Sequence, residues 1–288
     1  MQQFQFYSAA SLGDALGFLA EKGDRTRVLA GGTDLVPALR EELFRPGFVL
    51  NVLEIAELNG VREEGRVLRI GSTTTHAQLA ESDLLKKFCP SLAQAAGLIG
   101  GPLIRNRGTI GGNLANASPA ADLAPPLLSL DAEAVLLSRR GTRVVPLRDF
   151  FLGPGKTVLQ PDELLTEITI PRPRGTGVFL KLGRRQAMTL SVVSVAVSLE
   201  LEKGRCQEAR IALGSVAPTP VRCPGAEAML RDREMDWELI AQSAREAMAA
   251  SRPVDDQRAK AWYRLQAGTV LVRRALARAA GLPPGDGS

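Results

Sequence analysis

The chain has 288 residues, 36 basic against 31 acidic side chains for a formal charge of +5, and one histidine, His76. A single imidazole excludes zinc sites that need two and leaves any Ser/His/Asp triad only that ring to build on. Cys89, Cys206 and Cys223 stand in no CxxC spacing, which argues against a disulfide framework, a zinc knuckle or a local iron–sulfur cradle.

Aromatics are 5% of residues and the charge is scattered in pairs such as Arg139/Arg140 and Arg184/Arg185, so nucleic acid is not expected as a partner. No apolar run approaches the ~18–20 residues of a membrane span. The N-terminal segment has Asp14 inside its apolar stretch and no basic leader, so it does not read as a signal peptide; a cytoplasmic protein is the expectation. The length fits about two domains.

In chain order, the first expected helix has Ser11 as N-cap, Leu12, Leu16 and Leu19 at helical spacing and Gly23 at its C′ position. A short strand at 27–30 then runs into Gly31-Gly32, and Thr33 or Asp34 caps a second helix, DLVPALREEL. Strands are expected at 48–52 and 67–70, joined by a charged turn. A helix from Ser91 breaks at Gly100-Gly101-Pro102, and the glycine- and proline-rich stretch that follows, LIRNRGTIGGNLANASPAADLAPPL, reads as an extended exposed loop or a ligand wrap. EAVLLSRRGTRVVPL is a hairpin turning at Arg140-Gly141, and LLTEITIP is a strand. After a linker, PRPRGTG, come strands at 178–181, 192–201 and 210–215. Helices follow at 236–250 and 255–280, the last stopped by Gly281, Pro283 and Pro284.

Two glycine turns carry the chemistry. In Ala30-Gly31-Gly32-Thr33-Asp34-Leu35 a glycine pair between strand and helix lets backbone N–H groups approach an anion, although any tight strand-to-helix turn uses such glycines and the Asp34 carboxylate would repel a phosphate unless it turned elsewhere. In Gly108-Thr109-Ile110-Gly111-Gly112-Asn113, Thr109 and Asn113 add side-chain donors; it is neither a Walker loop nor GxGxxG. Two such turns suit a long dinucleotide. His76 is compatible with touching a cofactor or with a structural hydrogen bond, Asp122 with a site or with capping the next helix, and Lys181 with a cleft or a solvated strand face. Arg105 and Arg107 fit a phosphate, a partner or a solvated loop.

AGGTDL from Ala30, IRNRGTIGGNLANASPAADL from Ile104, FLGPGKTVLQPDELL from Phe151 and FLKLGRRQAMTLSVVSVAVSLE from Phe179 stand in order nearly end to end. This set resembles the FAD-binding medium subunit of the molybdenum hydroxylases, of the carbon monoxide dehydrogenase and xanthine dehydrogenase type. The resemblance implies an α+β fold: a two-lobed FAD-binding domain of the p-cresol methylhydroxylase type over residues 1–174, with lobes of about 1–58 and 59–174. A smaller α+β domain with an antiparallel sheet and helices would follow over 175–288. It implies FAD held by Ala30, Gly31, Gly32, Thr33, Asp34 and Leu35 and near Thr109, Gly112 and Asn113. Ile99 and Gly100 would lie along the cofactor, Asp122 would meet a polar part of it, Leu164 and Leu165 would flank the rings, and Lys181 would approach from the C-terminal domain.

The family's substrate reacts at a molybdopterin centre on a large subunit, and electrons reach FAD through [2Fe–2S] clusters on a small one before passing to an external acceptor. A dimer of heterotrimers is usual. The redox chemistry then belongs to the cofactor, and no catalytic side chain or metal site is expected on this chain. A stand-alone FAD-dependent oxidoreductase and a flavin-free scaffold subunit are the alternatives. Some relatives carry a cysteine-rich insertion for a further cluster, which the scattered cysteines here do not match, and some have a His–Ser pair where this chain has Thr33-Asp34.

Overall fold

The computed structural model describes residues 3–283. Three short strands, β1 (Gln5–Ser8), β2 (Thr26–Leu29) and β3 (Phe48–Asn51), form a parallel sheet in the order β1-β3-β2. The crossovers are α1 (Leu12–Lys22) and α2 (Leu35–Arg40). Ser11 caps α1 as expected, its Oγ accepting from Asp14 N at 3.1 Å. Gly23 is no left-handed cap; it is right-handed and opens a 3-10 turn, Gly23–Arg25. Neither Thr33 nor Asp34 caps α2 through its side chain, and the helix ends early because Glu42 turns left-handed and Leu43 N bonds back to Ala38 O at 3.0 Å.

A second, antiparallel sheet comprises β4 (Val61–Glu64), β5 (Val67–Gly71), β6 (Glu133–Ser138) and β7 (Gly141–Pro146), with β8 (Phe151–Gly153) and β9 (Lys156–Thr157) as a separate small hairpin and β10 (Leu164–Pro171) as its centre. The order is β4-β5-β10-β6-β7. The β6–β7 hairpin is the expected one, with Ser138 opposite Gly141. Against this sheet pack α3 (His76–Glu81), α4 (Asp83–Phe88), α5 (Pro90–Gly97), α7 (Ile110–Ala115) and α8 (Ala124–Ser129), around Leu79, Leu92, Ile110, Leu114, Leu127, Leu136, Ile168 and Ile170, while the short α6 (Pro102–Arg105) lies at the surface.

The stretch read as an extended exposed loop or a ligand wrap is therefore three short helices, of which α6 is exposed while α7 and α8 are buried. Pro102 and Pro125 sit in first turns, where a missing N–H costs nothing, and Ile110, Leu114, Leu123 and Leu127 are buried. Small residues in this segment allow close packing.

A third sheet runs β11 (Thr176–Gly183), β12 (Ser191–Glu202), β13 (Arg205–Gly214) and β14 (Val221–Arg222), all antiparallel. Residues 191–199 of β12 are buried on both faces. Val193, Val195, Val197 and Leu199 point to α10 (Trp237–Ala249) and α11 (Ala261–Ala280), which follow α9 (Pro224–Leu230). Ala196, with Phe179 and Ala212, joins the core under the second sheet. Each fully buried Val or Leu contributes roughly 1.5–3 kcal/mol relative to exposure.

The last helix starts at Ala261 rather than 255. Asp255 Oδ1 accepts from Ala261 N at 2.8 Å and Asp256 Oδ1 from Arg258 N at 2.7 Å, and these side-chain bonds compete with helical ones. Gly281 ends it in left-handed conformation. Pro284 lies outside the described residues, as do Met1 and Gln2 at the start of the segment tested for a leader.

Arg264 pins α11 to the sheet. It is 1% exposed, and its guanidinium donates to Val192 O and Ser215 O at 2.8 Å each and to Asp256 Oδ1 at 2.6 Å. Arg264→Ala would leave two buried carbonyls and a carboxylate short of a donor, so urea unfolding should report a loss of ~3–5 kcal/mol.

Candidate functional site

Between β2 and α2 the chain turns through Ala30, Gly31, Gly32, Thr33 and Asp34. Gly31 lies so close to the backbone before α7 that a Cβ there would overlap the Arg107 carbonyl oxygen. Gly32 has φ +74°, which side chains rarely tolerate. The N–H groups of Gly31, Gly32, Thr33 and Asp34 donate to no acceptor among the described residues. Successive backbone donors left without acceptors are the material of an anion-binding concavity.

The second glycine turn is built differently. Thr109 is the N-cap of α7, its Oγ1 accepting from Gly112 N at 3.1 Å. Ile110 N donates to Thr74 O at 3.0 Å, Gly111 N to Ser72 O at 2.8 Å and Asn113 N to Thr109 O at 2.9 Å. With all its backbone donors but the Thr109 N–H committed to the fold, this turn offers mainly side chains. Asn113 Oδ1 is buried and makes no hydrogen bond. Such an orphan costs ~1–3 kcal/mol, so the position suits a polar ligand group.

The two turns line one cleft of about 1170 Å³, shared by Ala30, Gly31, Gly32, Thr33, Asp34, Leu35, Thr109, Gly112 and Asn113. That volume exceeds the ~300–1,000 Å³ of common small-molecule pockets and suits a long dinucleotide. His76 and Asn116 also line it. Asn116 was legible in principle, because it stands three residues after Asn113 along the same segment.

His76 opens α3 behind a capping box formed by Thr75 and Gln78, and its N–H donates to Gly108 O at 2.9 Å. The ring is 4% exposed and Nδ1 has no partner. Burial, and secondarily the charge of Arg105, push its pKa down to about 4, so the imidazole is neutral.

Other expected site residues gather elsewhere. Lys181 Nζ donates to Asp122 Oδ2 at 2.6 Å and to Leu98 O at 3.1 Å, where the third sheet meets the end of α5. Asp122 therefore holds Lys181 and caps no helix; the N-cap of α8 is Leu123. Ile99 and Gly100 adjoin this junction, their carbonyls accepting from Arg105 Nη1 at 3.1 and 3.3 Å. Arg105 thus serves the backbone, and Arg107 contributes its carbonyl to the Gly31 contact; neither guanidinium lines the cleft. Leu164 and Leu165 open β10 as buried side chains of two adjoining cores and line no part of it.

Residues 2–173 match the family model of the FAD binding domain in molybdopterin dehydrogenase, and residues 178–279 that of the CO dehydrogenase flavoprotein C-terminal domain. The chain belongs to the FAD-binding subunits of the molybdenum hydroxylases.

Like the others in that family it is an oxidoreductase subunit. It is 36% identical over 279 residues to the 6-hydroxypseudooxynicotine dehydrogenase complex subunit alpha of Paenarthrobacter nicotinovorans, covering 96% of this chain and 94% of that one. It is 35% identical over 280 residues to the xanthine dehydrogenase FAD-binding subunit of Escherichia coli O157:H7, covering 95% of each. A chain of reconstituted CO dehydrogenase from Oligotropha carboxidovorans superposes with a TM-score of 0.94 at 34% identity, over 98% of this chain and 99% of that one. No helix among the described residues is long and apolar enough to cross a membrane.

Because its folded pKa lies below the ordinary 6.5, His76 adds stability that is present above pH ~6.5 and lost as pH falls toward 4. Its ring signals in NMR should stay neutral to about pH 4, and His76→Gln should flatten that part of the stability profile.

Proposed function

We propose that this FAD-binding subunit transfers electrons within a molybdenum hydroxylase. FAD lies between the two glycine turns, with its diphosphate on the N–H groups of Gly31, Gly32, Thr33 and Asp34. The observation that carries this is the set of four unpartnered backbone donors in a cleft long enough for a dinucleotide. Thr109 and Asn113 offer polar side chains beside them, and the exposed Asp34 carboxylate faces the cofactor's hydroxyls rather than its phosphates. Ile99, Gly100, Asp122 and Lys181 belong to the end that holds the ring system, with Leu164 and Leu165 flanking it. Residues 1–174 form the FAD-binding domain, in lobes of about 1–58 and 59–174, and 175–288 the C-terminal domain.

When bound, FAD supplies the one- and two-electron redox chemistry. This chain's residues bind it, orient it and exclude water. Electrons arrive from the [2Fe–2S] clusters of a small subunit and leave to an external acceptor, while a large molybdopterin subunit oxidises the substrate, in a dimer of heterotrimers. Relatives named for 6-hydroxypseudooxynicotine, for xanthine and for carbon monoxide match this chain over nearly its whole length at 34–36% identity. One scaffold serving such different substrates supports a substrate site on another chain.

The purified chain should show oxidised-flavin absorption near ~450 nm and release FAD on denaturation. Gly31→Ala, whose Cβ must push the two turns apart, should weaken FAD at least ~10-fold, or ~1.4 kcal/mol. Gly153→Ala, with no atom within 4 Å of the added Cβ, should retain it. A well-folded chain that takes up no FAD overturns the proposal, and copurification without molybdenum or iron overturns the subunit assignment.

A further inference from the structure

Ser191 stands at the start of β12 and is fully buried. Its Oγ donates to Asp122 Oδ1, the oxygen that Lys181 does not use. A bulge aims it there. Lys181 pairs with Ser194 and Leu182 with Val193, but Gly183 pairs with Ser191, so Val192 is the extra residue. In regular alternation Ser191 would share the helix-facing side with Val193. The bulge instead gives that side both Val192 and Val193, which pack in the same core with α10 and α11, and turns Ser191 toward Asp122.

The backbone of Ser191 is held as firmly. Arg258 Nη1 donates to Ser191 O at 3.1 Å, Arg258 Nη2 and Nε bond Asp256 Oδ2 at 2.6 and 2.9 Å, and Asp256 in turn accepts from the buried Arg264.

We propose that Ser191 is a positioning residue: it fixes Asp122 as a charged, one-oxygen partner of Lys181, so that one ammonium N–H of Lys181 remains for the flavin. The arithmetic of donors supports it. An ammonium has three N–H bonds; Asp122 Oδ2 and Leu98 O take two. Without the serine hydroxyl the carboxylate is free to rotate and give both oxygens to Lys181. The Lys181 and Asp122 side chains are each only 6% exposed, and burial already raises the Asp122 carboxyl against the opposing pull of Lys181 and Ser191. Those two are the charged and polar side chains that face it. That rotation belongs to the ionised acid; as pH falls, the loss of the Ser191 hydroxyl also favours the protonated acid, which leaves the Lys181 charge uncompensated beside the ring system.

This inference rests on the placement of Lys181 at the flavin. Its test is the flavin midpoint potential of the FAD-loaded chain as a function of pH, for wild type, Ser191→Ala, Asp122→Asn and the double variant. The flavin takes up protons on reduction, so its potential has a pH slope in every variant; protonation of Asp122 as pH falls adds a further rise to it. In Ser191→Ala that rise should begin about one pH unit higher, the scale of a hydrogen bond to a charged group. In Asp122→Asn that further rise should vanish and leave the flavin's own slope, and adding Ser191→Ala should change nothing further, which a merely structural serine would not produce. A wild-type chain that binds no FAD overturns the underlying reading and this proposal with it. A loaded wild type whose potential profile is unmoved by Ser191→Ala, or a serine effect that persists in Asp122→Asn, overturns the role of Ser191 alone.

Discussion

The structure depends on one close approach, that of Gly31 to the peptide between Arg107 and Gly108. It brings the end of a parallel strand against the start of a helix from another layer with no side chain between them. Around that contact, Gly108 O accepts from His76 N, and Thr75 and Thr109 form an isolated bridge. Three chain segments distant in sequence are thereby locked at one place. Any larger residue at 31 separates them, and the cleft they enclose changes shape.

The two turns that meet there divide the work. The first, with little secondary structure of its own, leaves its N–H groups without acceptors among the described residues; the second commits those of Ile110, Gly111, Gly112 and Asn113 to Thr74, Ser72 and Thr109 and is held in place as a result. A site for a long anionic cofactor needs both kinds of wall: donors left available on one side and a fixed surface with oriented side chains on the other. Neutral His76 fits behind that wall, since a buried imidazolium there would have no carboxylate to meet it.

The C-terminal sheet contributes differently. β12 is buried between α10 and α11 on one face and the core under the second sheet on the other, so its position is set from both sides. Lys181 and Ser191, on neighbouring strands, converge on Asp122 from the N-terminal part of the chain. A buried ion pair joining the third sheet to the loop before α8 is weak evidence for added stability, but it fixes one relative arrangement because breaking it strands a charge.

The sequence by itself determined the local elements whose signals are local: the Ser11 cap, the β6–β7 hairpin, the long central strands and the two glycine turns followed by helices. It also carried the order of motifs that marks the family. Short edges such as β1 and β14 were hidden because so few residues carry no readable period, and the helices α7 and α8 because their stability comes from packing against distant partners rather than from propensity. Only the tertiary structure decided that Gly31 meets Arg107, that Asp122 holds Lys181 instead of capping a helix, and that a one-residue bulge turns Ser191 inward. Those are contacts between residues tens of positions apart, and no spacing within one segment encodes which of them the folded chain brings together.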